Sequence, residues 1–171
     1  MRGARRITPG LALLLLCACS PPDDAPPPPA ALESSTATPT GPTTLVRVGD
    51  APEIRAEIAA TPAERGLGLM NRPTIPDGTG MLFVFAGPSG SSFYMWQTLV
   101  PLSIAFVDVD RVVSVAEMTP CRATMPAECE RYPADGPYTL AVEAPGGWFT
   151  DAGVEPGDAV TFDPPPPAAS S

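Results

Sequence analysis

Histidine and lysine are both absent from this 171-residue sequence, and all ten of its basic residues are arginine. Most of the usual reaction machinery goes with them. There is no imidazole to activate a serine or cysteine or to bind a metal, and no amine for a Schiff base, a Ser/Lys dyad or a phosphate-loop contact. Chemistry must come from carboxylates, cysteine, tyrosine or arginine. Neither a metal-ligand set nor a cofactor motif is present, so no metal and no cofactor is expected.

The polar and aromatic residues fall into three groups. Asp108 and Asp110 have the composition of a calcium loop or of an acid pair for glycoside cleavage, but the same residues make hairpin turns, and a turn is the reading adopted. Cys121 and Cys129 flank the segment RATMPAE. In an oxidising compartment they predict a disulfide, worth about 2 to 3 kcal/mol for so short a loop. A redox pair or two-thiolate metal site is the alternative, although the spacing is not Cys-x-x-Cys and no histidine completes a zinc shell. The third group is the candidate ligand-binding set: Tyr94, Trp96 and Trp148 as stacking surfaces, with Gln97, Thr98 and Glu117 as hydrogen-bonding groups. Sugar rings or an apolar envelope ligand would suit it. On a strand, however, Phe93 and Met95 alternate with Tyr94 and Trp96, so one pair must face the core, and core packing of the whole aromatic set is the competing reading. Arg65 and Arg72 read as solvated or carboxylate-paired.

These residues need elements to hold them. Between about Leu45 and Asp163, short apolar or alternating runs are bounded by Pro, Gly or Asp, which is the rhythm of β-strands. The runs are Ile54–Ile58, Met81–Phe85, Phe93–Trp96, Ile104–Val107, Val112–Ala116, Tyr138–Val142 and Ala159–Phe162. In the first, Ile54, Ala56 and Ile58 share one face against Arg55 and Glu57. Thr61 as N-cap, Pro62 at the first helical position and Glu64 three residues after the cap predict a short helix weakened by Gly66 and Gly68. Its Leu67, Leu69 and Met70 would cover one end of the core. A second turn or helix is expected over Trp148–Gly153. The fold class is mainly β: a compact antiparallel sandwich or barrel of about seven to eight strands with one or two short helices.

The chain front reads as an address. Arg2, Arg5 and Arg6 precede Leu11-Ala12-Leu13-Leu14-Leu15-Leu16 and then Cys17-Ala18-Cys19, the charge, core and cleavage order of a signal peptide over residues 1–18. The apolar run is far short of the roughly 20 residues that span a bilayer. Leu16-Cys17-Ala18-Cys19 resembles a bacterial lipobox, with Cys19 as the acylated residue. Residues 19–44, including Pro26-Pro27-Pro28-Pro29, read as a tether too poor in large apolar side chains to order itself, reaching roughly 30 to 75 Å. Residues 45–163 are the globular β domain and 164–171 a disordered tail. Loss of the three leading arginines leaves seven basic against nineteen acidic residues, a net charge of −12. Nucleic-acid phosphates are not a plausible partner for such a chain.

Five blocks in one order carry a family resemblance: TPAERGLGLM, GTGMLFVF, SFYMWQTLVPLSIAFVDVDRVV, CRATMPAECERY and GGWFTDAGVEPGD. Together they resemble domain of unknown function 192, a family of small bacterial domains frequently exported or lipid-anchored, over about Val46 to Phe162. The resemblance implies a compact, mainly antiparallel β fold with short helices and no established activity. The family's usual aromatic-Met-Lys-Asn-Thr run is Tyr94-Met95-Trp96-Gln97-Thr98 here, so no lysine-dependent role carries over. Its Asp after Pro-Leu is Ser103, a turn glycine between Asp110 and Arg111 is missing, and Pro145 replaces a common Asn.

The resulting expectation is an exported lipoprotein, held to a membrane by its lipid anchor in the periplasm or at the cell surface, whose β domain is a non-enzymatic binding or accessory module for an envelope glycan or protein. A carboxylate-dependent hydrolase or lyase is the alternative, requiring two carboxyls converging in a cleft. A purely structural protein-contact module is the third.

Overall fold

The computed structural model describes residues 41–170. The expected signal peptide, the lipidated Cys19 and nearly all of the tether lie outside the described residues. The elements are β1 (Thr43–Val48), β2 (Ile54–Ala59), α1 (Pro62–Leu67), β3 (Thr79–Ser89), β4 (Leu102–Asp108), β5 (Arg111–Met118), β6 (Tyr138–Pro145), α2 (Trp148–Asp151) and β7 (Val160–Asp163). The strands form one curled sheet, a half-barrel, in the order β5-β4-β6-β3-β2-β1-β7. Every pairing is antiparallel except β2 with β3, because the connection carrying α1 returns the chain to the starting end of β2 before β3 begins.

Strict alternation along the strands gives the sheet two apolar faces. One packs Val46, Ile54, Ala56, Leu82, Val84, Ala105, Val107 and Val142 with Phe149 of α2. The other packs Met81, Phe83, Leu102, Ile104, Phe106, Met118, Tyr138 and Ala141 beneath Leu69 and Met95. A core Phe such as Phe106 or Phe149, fully buried here, typically contributes about 3 to 5 kcal/mol against Ala.

Six of the seven expected runs are strands or parts of them. The exception is Phe93–Trp96, which makes only isolated bridges, Phe93 with Tyr132 and Trp96 with Cys121. Gln97 at φ 55 turns the chain before a ladder can build. β1, not foreseen as a strand, is recruited between β2 and β7. Residues 164–170, read as a tail, have no regular structure, but Thr44 Oγ1 donates to the Pro164 carbonyl at 2.7 Å and Ser170 N to the Ala60 carbonyl at 3.0 Å.

Asp108 and Asp110 do belong to a turn: Asp108 pairs with Arg111 across the two-residue loop Val109-Asp110, in which Val109 has φ 56. Cys121 and Cys129 form a disulfide. The capping box also forms, with Glu64 N donating to Thr61 Oγ1 at 3.2 Å and Thr61 N donating back to Glu64 Oε2 at 2.9 Å. The backbone N–H groups of Thr61 and Ala60, both donating to Glu64 Oε2, hold that carboxyl below the usual carboxylate range.

Candidate functional site

A cleft of about 220 Å³ opens on the second apolar face, between the α1 region and segment 91–98. Its floor is Phe83 and Phe85 of β3 with Tyr138 and Glu143 of β6. The α1 wall is fixed by the capping box and by Arg65, whose Nη1 donates to the carbonyls of Ala60 and Val84 at 2.7 and 2.9 Å. Gly68, at φ +50, lets the chain after the helix fold down on the sheet. A Cβ there would stand 3.3 Å from the Phe83 ring, in a backbone region that side chains disfavour.

The opposite wall has no strand to support it and is tied instead from outside. Phe93 and Tyr132 exchange backbone hydrogen bonds of 3.0 Å, and Cys121 N donates to the Met95 carbonyl at 3.2 Å. The disulfide staples the segment that supplies both partners. Tyr138 Oη donates to the Ser91 carbonyl at 2.7 Å, joining floor to wall.

Glu143 is the unusual group. It is only 5% exposed, in register with Met81 on one side and Ile104 on the other. No described residue donates a hydrogen bond to its carboxyl or pairs with it. The carboxyl oxygens are nevertheless not sealed inside protein, since no shut-in polar atom lacks a partner; they open onto the cleft. Burial alone pushes the acid up to about 8. At neutral pH it is mostly protonated, with one donor and one acceptor to offer.

A second, half-buried acid on the same face is accounted for. Glu57 shares this face through its register with Met81, and receives both arms of Arg72 at 2.5 and 2.9 Å. That contact raises the Arg72 guanidinium further above its ordinary value.

The six residues singled out in the sequence are divided by the sheet. Tyr94 and Thr98 line the cleft. Trp96 and Gln97 lie in the same segment but do not line it; the Gln97 carbonyl instead accepts from Asn71 N at 2.8 Å. Glu117 pairs in register with Ser103, whose side chain belongs to the other face, and Trp148 packs there against Phe149 with ring centroids 4.9 Å apart. Glu143 was missed. A signal for it existed: Leu140-Ala141-Val142-Glu143-Ala144 reads as a strand buried on both faces, so an acid inside it has nowhere exposed to go.

Chemically, the cleft can enclose a small apolar group and present one carboxyl to it. Its other titratable lining residues are Arg65, Tyr94 and Tyr138. Among the described residues, no second carboxylate lines it.

The family pattern of domain of unknown function 192, described as an uncharacterized ACR, matches residues 44–162. The chain belongs to that family. Among solved structures it is similar to a candidate transcription regulator from Sinorhizobium meliloti 1021, with a TM-score of 0.63 and 24% identity over 72% of this chain and 95% of that one. It is also similar to a protein of unknown function from Novosphingobium aromaticivorans DSM 12444, with a TM-score of 0.58 and 32% identity over 70% of this chain and 83% of that one. No curated protein matches.

Proposed function

We propose that the protein is an exported, lipid-anchored binding module of the bacterial cell envelope, and that its ligand sits in the cleft over Glu143. The observation that carries the binding half is that carboxyl: a buried acid that no described residue serves costs folding free energy, typically about 1 to 3 kcal/mol for an uncompensated polar group, and a ligand would compensate it. The anchoring half is supported by Arg2, Arg5 and Arg6, the leucine run and Cys19. Two or more acyl chains, at about 0.8 kcal/mol per buried CH₂, would hold the protein at a membrane. Nineteen acidic residues against the seven arginines left after residues 1–18 are lost give no basis for phosphate binding, so transcription regulation is not carried over from the Sinorhizobium neighbour.

Each half has its own test. Mass spectrometry of protein from the native envelope is expected to find an acylated N-terminal Cys19, and Met1–Ala18 still attached would end the anchoring claim. Full-length chain in lipid nanodiscs is expected to show a ligand-induced rise in melting temperature against a panel of envelope glycans, peptides, lipids and metabolites, reduced by Tyr94→Ala and unchanged by Trp96→Ala. An equal response in both variants would remove the cleft from the account.

A hydrolase is the second reading, favoured by Glu143, whose burial pushes its pKa up to about 8 and so suits it to act as a general acid. The cleft lacks the second carboxyl that glycoside cleavage requires.

A further inference from the structure

What pairs with Glu143 sets the chemistry of the ligand. We propose, resting on the reading of the cleft as a ligand site, that the ligand is a small apolar ammonium: a protonated amine on a ring or short chain, its nitrogen against the Glu143 carboxyl and its apolar part against Leu69, Phe83 and Phe93.

The protein has no lysine side chain to fill this position. The one cation lining the cleft, Arg65, is turned to the carbonyls of Ala60 and Val84. Aromatic rings here take cations: the Arg65 guanidinium lies 5.3 Å from the Phe85 centroid and that of Arg131, which does not line the cleft, lies 4.6 Å from the Tyr94 centroid, while Phe83 and Phe93 hold no stacked cation among the described residues. The net charge, −9 for the whole sequence and −12 once the three leading arginines are lost, draws cations toward the surface and repels anions.

Size and donor count exclude the other classes. A dry cavity of about 150 Å³ takes up benzene, so the cleft's volume of about 220 Å³ fits one ring with a short substituent rather than a sugar chain. A hard metal ion would want six or more oxygens, and the lining brings a single carboxyl.

Few other ionisable groups face Glu143. Tyr138 on its own strand is held neutral by burial, which pushes its phenol up. Arg65 comes from α1 and Tyr94 from segment 91–98. On β2, Glu57 is closed off by Arg72. β3 and β4 present apolar residues on this face. The pH response of ammonium binding is therefore that of Glu143. An ammonium binds the ionised acid, so affinity rises with pH until Glu143 is ionised or the amine itself loses its proton.

The experiment is calorimetric titration of the full-length chain in nanodiscs with benzylamine, its neutral isostere benzyl alcohol, and benzoate. Benzylamine is expected to bind about tenfold or more tighter than the alcohol at pH 7, with no detectable benzoate binding. Because the acid titrates near about 8, benzylamine affinity is expected to rise about tenfold from pH 6 to pH 7. Glu143→Gln is expected to abolish both the preference for the amine over the alcohol and the pH slope. If that variant does not fold, the wild-type slope decides alone. Alcohol and amine binding equally at both pH values would overturn the ammonium while leaving the cleft a binding site; no binding by any of the three would remove both.

Discussion

Two glutamates on opposite faces of one sheet meet opposite fates. Glu117 has donors on every side: Oε1 accepts from Ser103 Oγ at 2.7 Å and Thr150 Oγ1 at 2.9 Å, and Oε2 accepts from Gly147 N at 2.7 Å. It fastens α2 to β4 and β5. Glu143, two strands away, is more deeply buried and has no described donor. A carboxylate that the fold surrounds with donors is part of the frame; one that the fold buries and leaves unserved is free for something from outside. Residue type alone does not separate these roles, since it was Glu117 that looked like the site.

The comparison can be broken most directly by pH. Glu143 holds its proton more tightly in the folded chain than in the unfolded one, so the folded state carries the extra proton between about 4.5 and about 8. Stability then falls as pH rises through that window, by an amount on the order of a few kcal/mol. Urea melts at pH 5 and pH 8 should show the drop in the wild type and lose most of it in Glu143→Gln; an unchanged slope would refute the assignment. Glu143→Leu is expected to gain about 1 to 3 kcal/mol at pH 8.

The second prediction concerns the wall of the cleft. Replacing Cys121 and Cys129 together by serine should cost about 2 to 3 kcal/mol in denaturant stability. It should also broaden the NMR signals of Phe93 and Tyr94 while sparing those of Trp148 on the other face. Loss confined to stability, with segment 91–98 unchanged, would show that the staple does not hold the cleft.

Glu117→Ala should be milder, about 1 to 2 kcal/mol, because the residue is exposed and water replaces part of what it loses while buried Ser103 is left short of a partner. Ser103→Ala combined with it should restore part of that loss in a double-mutant cycle; strict additivity would mean the two do not act together. Smallest is Val109→Gly. Val109 occupies the first central position of a two-residue hairpin at φ 56, where glycine is the natural occupant, so the change should add about 1 kcal/mol by thermal melting without affecting either face. A destabilised variant would show that the valine relaxes into another turn.

Features governed by local rules were legible in the sequence. The capping box at Thr61 and Glu64, the turn at Asp108 to Arg111 and the alternation of Ile54, Ala56 and Ile58 depend only on neighbours a few residues apart. β1 was harder, because the Thr43–Val48 run emerges from a Pro- and Thr-rich stretch and is made a strand by β2 and β7 on either side. The segment Phe93–Trp96 has strand composition but receives only isolated bridges. Site residues fared according to the same distinction. Which side chains share a face within one strand is a local matter, whereas whether Glu117 and Tyr94 lie on the same side of the molecule depends on register across β4, β5 and β6. Glu143 owes its burial to the neighbours flanking β6 on both sides.

The sheet's two outer margins also meet. Arg111 at the start of β5 bridges to Ala159 just before β7, and Val112 N, Val160 N and Gly157 N all donate across that junction. Unpaired strand margins are where separate molecules add to one another and precipitate. β7 is only four residues long and the first residues of β5 are occupied, so the junction itself offers little for another copy to zip onto. A copy adding to this sheet would thus be left the stretch of β5 beyond Val112 rather than a full-length margin.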